Sequence, residues 1–115
     1  MEKNFHLERA RVSKILMEDM FQIKLGETVA ITADSGSDSD LMNALAAAAY
    51  AAGGIPLLMW VPKAKQSGQA GMKEWPAAAL EAALCKVDVW IDAQSTVMLY
   101  SDVWENAFKE NKKLL

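Results

Sequence analysis

Leu41-Met42-Asn43-Ala44-Leu45-Ala46-Ala47-Ala48-Ala49-Tyr50-Ala51-Ala52-Gly53-Gly54-Ile55-Pro56-Leu57-Leu58-Met59-Trp60-Val61-Pro62 carries no charged residue, and its reading decides the fold. About twenty such residues are long enough to span a bilayer. The composition of the run argues against that. Leu41 to Ala52 is mostly alanine, which contributes little insertion energy, and Gly53-Gly54-Ile55-Pro56 breaks the run before Leu57 to Val61. The reading is therefore a helix, a turn and a buried strand, because strands of a parallel sheet covered on both faces are continuous apolar runs. No membrane partner is expected.

Upstream of that unit, Val12, Ile15, Leu16, Met20 and Ile23 recur at helical spacing, with Glu8, Arg9, Lys14 and Glu18 elsewhere around the wheel. They predict an amphipathic helix with that apolar set as its core face, closed at Lys24-Leu25-Gly26-Glu27 by a glycine able to adopt the left-handed conformation. Thr28-Val29-Ala30-Ile31-Thr32-Ala33 follows as a short β-branched strand. In the polar loop Asp34-Ser35-Gly36-Ser37-Asp38-Ser39-Asp40, Ser37 and Asp40 stand in the Ser-x-x-acid relation of a capping box, where the second helix should begin.

Downstream, Lys63 to Lys73 has the Gln, Ser and Gly content of a mobile surface loop. Trp75-Pro76 opens a third helix that runs to Lys86, Pro76 sitting near the first turn where a missing N–H costs nothing. Val87 to Asp92 reads as a third strand, Val97 to Asn111 as a fourth helix, and Asn111-Lys112-Lys113-Leu114-Leu115 as the turn and first residues of another strand. This alternation predicts a single α/β domain over residues 1–115. Its architecture would be three layers, a parallel sheet of about four strands flanked by helices, flavodoxin-like or Rossmann-like. An interrupted last strand is the pattern expected of the N-terminal part of a longer protein.

Composition narrows the function. At 115 residues, 52% hydrophobic and 23% charged, the chain has enough apolar surface for one core, which excludes disorder. A net charge of -3 and a pI near 5.1, with lysines and carboxylates mixed along the chain, offer no footprint for a nucleic-acid backbone. The single cysteine, Cys85, cannot form an internal disulfide, and Met1 to Arg9 lacks the apolar run of a signal peptide, so a cytoplasmic location is expected.

Ligands in open α/β folds gather at the carboxyl ends of the strands. There the sequence places Asp34, Ser35 and Ser37, then Lys63 and Lys65, then Asp92, Gln94, Ser95 and Thr96. Asp34, Ser35, Ser37, Asp92, Ser95 and Thr96 are the candidate ligand-binding residues, weighed against the plain role of polar loops that cap helices. Asp34, Asp38 and Asp40 lack the later glutamate of a calcium loop, and acids in a first helical turn suit its dipole anyway. His6 and Cys85 are the only imidazole and thiol, too few for a tetrahedral metal site or for a histidine-based triad. No catalytic residue, no metal ligand and no cofactor is therefore expected in the chain. Gly68-Gln69-Ala70-Gly71 matches the bare G-x-x-G of a nucleic-acid loop but is explained by a flexible loop. Met98, Leu99 and Tyr100 are interface candidates, since Met and aromatic side chains are favoured in subunit contacts.

Three stretches carry a family resemblance: Lys24 to Ile31 after a long first helix, Ala48 to Pro56 entering the second strand, and Val87 to Asp92 after an Ala-rich helix. With the order of elements they resemble the N-terminal domain of the aminopeptidase T family of thermophilic, leucyl aminopeptidase-like metallopeptidases and its 2,5-dihydroxypyridine dioxygenase relatives. The resemblance implies a two-part protein whose larger C-terminal part carries a divalent metal, so the expected partners are that C-terminal domain and a second copy in a homo-oligomer. It implies a non-catalytic domain that shapes a substrate cleft and supports a dimer, its parent a hydrolase or a related oxygenase. The alternative is a stand-alone flavodoxin-like small-ligand-binding or signalling domain using the Asp34 and Asp92 loops, although the late-strand lysine of a phosphoacceptor receiver is lacking.

Overall fold

Thr28–Asp34, the β-branched run, forms the central strand β1. In the computed structural model, which describes residues 6–95, 101–109 and 113–114, everything else is arranged around it. Helix α1 (His6–Ile15) continues into a π-helical turn, Leu16–Met20, before β1. After it come α2 (Ser39–Ala51), β2 (Ile55–Val61), a 3-10 helix (Gly68–Glu74), α3 (Ala77–Leu84), β3 (Val89–Asp92), α4 (Asp102–Lys109) and β4 (Lys113–Leu114). The charge-free run is a helix, a turn and a strand, and no helix among the described residues is long and apolar enough to cross a membrane.

The four strands are parallel in the order β2-β1-β3-β4. Registers run Thr28↔Ile55 to Asp34↔Val61 on one side of β1 and Val29↔Val89 to Thr32↔Asp92 on the other. The final strand pairs Val89↔Lys113 and Trp90↔Leu114. From β1 the chain moves outward to β2 and then back across to β3, so right-handed crossovers must place α2 and α3 on opposite faces. They do. Val29, Ile31, Ala33, Val89 and Ile91 pack with Met17 and Phe21 from the π turn and its end and with Met42, Leu45 and Ala49 from α2. Ala30 and Trp90 face the other way, into Leu80, Leu84, Val103 and Ala107 from α3 and α4. Strand alternation thus divides one sheet between two cores, and Ala30 stands opposite Trp90 in register, a small side chain making room for a large one.

Several sequence expectations change. Strand β2 is an edge strand and is not buried on both faces: Ile55, Leu57 and Trp60 are 57%, 40% and 51% exposed. The helices cover the middle of the sheet and leave its flank open. Ile55 N–H donates to the Glu27 carbonyl at 2.7 Å, so alternation turns the backbone of residues 57, 59 and 61 toward β1 and that of 56, 58 and 60 outward. Pro56, which has no N–H to offer, thus sits on the outer side, where a strand proline is tolerated.

The core face of α1 is also displaced. Ser13, Met17 and Phe21 are buried, whereas Val12, Ile15 and Met20 are exposed. Ser13 and the alanines of α2 are small enough for the two helices to lie close. Phe21 N–H donates to the Leu16 carbonyl, five residues back, at 2.8 Å. That wider turn swings Met20 out while Phe21 stays with Met17. The helix therefore ends at Phe21, before Gly26, and Gln22 takes a left-handed φ of 50°.

Part of the stretch expected to be a mobile loop forms a 3-10 helix in which Gly68 and Gly71 are buried. Gly71 of the 3-10 helix is buried where a Cβ would collide with the Gln66 carbonyl and meet Ala64 at 3.2 Å. Its neighbour Gln69 accepts from the Asp102 N–H at 3.0 Å and donates to Asp102 Oδ2 at 3.2 Å, holding the start of α4. Ser101 Oγ accepts from the Trp104 N–H at 3.2 Å at the same helix end. Cys85 is half-buried at the C-terminal end of α3. The expected Val97 start of the fourth helix lies outside the described residues.

Candidate functional site

Between β1 and β3 the strand order reverses, so the loops leaving their carboxyl ends run to opposite faces and open a crevice, the usual ligand position in this architecture. Asp34 is the last residue of β1 and is fully buried. Its Oδ1 accepts from Gly36 N–H at 2.8 Å and from the Ser95 hydroxyl at 2.7 Å. Ser37 N–H donates to the Asp34 carbonyl at 3.0 Å, closing a four-residue β-turn with aspartate first, where it is favoured. Ser37 Oγ accepts from Asp34 N–H at 2.9 Å and donates to the Ala93 carbonyl at 2.8 Å. One hydroxyl thereby stitches the exit of β1 to the exit of β3.

Asp92, the last residue of β3, anchors a second set. Its Oδ1 accepts from Thr32 Oγ1 at 3.0 Å and Gln94 N–H at 3.2 Å. Thr32 Oγ1 in turn accepts from the Trp90 indole N–H at 3.0 Å. With the Gln94 amide oriented to suit its neighbours, its nitrogen donates to Asp92 Oδ1 at 3.2 Å and its oxygen accepts from the Trp75 indole N–H at 3.2 Å. Thr32, Trp90, Gln94 and Trp75 were not all visible as site residues in the sequence. The signal for two of them is strand alternation, which puts Thr32 on the face of Asp34 and Trp90 on the face of Asp92.

Of the sequence candidates, Asp34, Ser37, Asp92 and Ser95 are brought together in this rim, and Ser35 is exposed at the tip of the turn. Thr96, Met98, Leu99 and Tyr100 lie outside the described residues. Lys63 and Lys65 are exposed beyond β2, and Lys65 N–H donates to Glu74 Oε2 at 2.8 Å. Gly36 must be glycine for closeness: a Cβ there would collide with the Ser95 hydroxyl and stand 3.0 Å from Ser95 Cβ.

The expected capping box forms differently. Because Ser37 is spent on Ala93, the cap of α2 is Asp38, whose Oδ1 accepts from the N–H groups of Asp40 at 3.0 Å and Leu41 at 3.4 Å. Its other oxygen, Oδ2, holds Arg9 of α1 at 2.9 Å. Desolvation pushes the Asp38 carboxyl up, but the Arg9 hydrogen bond and charge and the two helical N–H groups outweigh it and hold it below the usual aspartate value.

A divalent metal, the group the family resemblance implies for the parent protein, has no fitting donor set here. Among the described residues no three His, Cys, Asp or Glu side chains converge. The groups around Asp34 Oδ1 are N–H and O–H donors, where a hard cation needs further oxygen ligands. What the crevice offers is acceptor chemistry. The single Ser95 proton is committed to Asp34, so the exposed hydroxyl has only acceptor capacity left and suits a ligand N–H or O–H.

No protein-family model matches the chain, and no curated protein matches it. Solved structures do. The 2,5-dihydroxypyridine dioxygenase from Pseudomonas putida KT2440 is similar over 97% of this chain, with a TM-score of 0.79 and 16% identity. Wild-type AmpT from Thermus thermophilus is similar over 77% of the chain, with a TM-score of 0.56 and 15% identity. The chain spans 34% of the dioxygenase and 25% of AmpT. At these identities the likeness is one of fold.

Proposed function

We propose that this chain is a non-catalytic α/β domain of a larger metal-dependent aminopeptidase-like or dioxygenase-like protein, where it forms one wall of a substrate cleft and supports a dimer. One observation carries the reading: nearly the whole chain corresponds to about a third of a dioxygenase, with a TM-score of 0.79. The Ser95 hydroxyl at the exit of β3 supports the cleft wall, since with its proton on Asp34 it can accept a hydrogen bond from a substrate N–H or O–H. In this reading the divalent metal belongs to a part of the protein outside these 115 residues.

The test is to assay the purified chain against amino-acyl amides and 2,5-dihydroxypyridine with iron, cobalt, zinc or manganese added, alongside elemental analysis. No turnover and no stoichiometric metal is the expected result; turnover with bound metal overturns the reading. A second reading, a stand-alone domain that binds a small polar ligand, is favoured by the built network around Asp34 and Asp92. The reading frame beyond the Leu115 codon separates the two: clustered Glu and His codons support the first, and an immediate stop codon supports the second.

A further inference from the structure

We propose that the outward face of α1 and its π turn is a self-complementary docking surface, on which a second copy of this chain packs antiparallel about a two-fold axis at Ile15. Three large apolar side chains lie there uncovered, Val12, Ile15 and Met20, at 52%, 40% and 63% exposure. Val12 to Ile15 is about one α turn. The next step, to Met20, is five residues, one π turn, so the wider helix is what brings Met20 into line. Charge identifies the occupant. Arg11 lies four residues before Ile15 and Asp19 four residues after it; both are exposed, and neither has an ion-pair partner among the described residues. The other Arg and Lys side chains of α1 have partners, Arg9 in Asp38 at 2.9 Å and Lys14 in Glu18 at 3.9 Å.

At the α-helical rise of 1.5 Å per residue Arg11 sits about 6 Å before Ile15 along the axis, and Asp19, in the wider π turn, a somewhat shorter distance beyond it. Antiparallel pairing about a dyad there sets Arg11 opposite the partner's Asp19, and Asp19 opposite the partner's Arg11. Val12 falls beside the partner's Met20, and the two Ile15 side chains meet at the axis. Parallel pairing would instead set like charges together. Arg11, Lys14, Ile15, Glu18 and Asp19 line one shallow depression on this face. Such a contact is isologous, and it closes at two copies. It rests on the dimer part of the function proposed above and is independent of the cleft.

The experiment is sedimentation equilibrium of the 115-residue chain and its variants, with circular dichroism melts to confirm folding. The wild type is expected to be a concentration-dependent dimer. Ile15→Glu should be monomeric, Arg11→Asp and Asp19→Arg should each weaken association by about tenfold or more, and the double charge swap should restore it. Because Arg11 and Asp19 are exposed, the swaps leave the core intact even if Ile15→Glu disturbs it. A dimer indifferent to all four variants overturns this face while leaving the dimer itself standing. Failure of the double swap to restore association overturns the antiparallel register, and a wild type monomeric at every concentration overturns both the face and the dimer.

Discussion

Ser13 and Asp38 show opposite treatments of a polar side chain near α1. The Ser13 hydroxyl is fully buried and has no hydrogen-bond partner among the described residues. A buried hydroxyl left unpaired costs about 1–3 kcal/mol, and alanine is the better helix former. Ser13→Ala should accordingly stabilise the chain by about 1 kcal/mol, read as a higher midpoint in thermal or urea melts. Asp38 is fully used, one oxygen on the helix N–H groups and the other on Arg9. Its carboxyl ionises more readily in the folded chain than in the unfolded one, so its charge stabilises the fold above the unfolded value and that stabilisation fades as pH falls. The loss begins as pH approaches the ordinary 3.8 and is complete only below the lowered native value. Asparagine keeps the cap without the charge. The melting-temperature gap between wild type and Asp38→Asn should therefore be widest near neutrality and close on acidification; a constant gap would refute the charge argument.

Among the elements, β1 was legible because β-branched residues repeat in a short run, and the helix-turn-strand of residues 41–61 because Gly53 and Gly54 punctuate it. Gly53 does take a left-handed φ of 98°. What could not be read was set by partners distant in sequence. Ser37 fits a capping box locally, but its hydroxyl is claimed by Ala93, 56 residues away. The apolar face of α1 was misread because helical spacing assumes one constant period, and the π turn changes it between Ile15 and Phe21. The glycines of residues 68–71 resemble loop residues in composition, yet Gly71 is required by close packing. The same logic at Gly36 gives a test of the crevice. Gly36→Ala should displace Ser95 from Asp34 and cost about 1–3 kcal/mol, the scale for overpacking or for losing a charge-assisted hydrogen bond. Ser95→Gly in the same chain should recover part of that loss in a double-mutant cycle, and strictly additive effects would show that the two residues do not meet.

Across the whole molecule, the two-core division follows from topology once β1 is central, and strand-end placement made Asp34, Ser37, Asp92 and Ser95 legible as a group. The Trp75 and Trp90 indoles that support the rim were not, because their partners are chosen by tertiary packing. The sheet should show graded protection in native-state amide exchange. Amides of β1, bonded on both sides and covered on both faces, should exchange slowest, while those of Leu58 and Trp60, directed outward from β2, should exchange far faster than those of Leu57 and Met59. Equal protection along β2 would contradict the edge assignment. Pro56 gives that edge a directional meaning. A strand arriving beside β2 would find no donor at the first outward position, so backbone recruitment is discouraged along an edge that also displays Ile55 and Trp60. The β2 margin of the sheet therefore carries its own brake against runaway β-stacking.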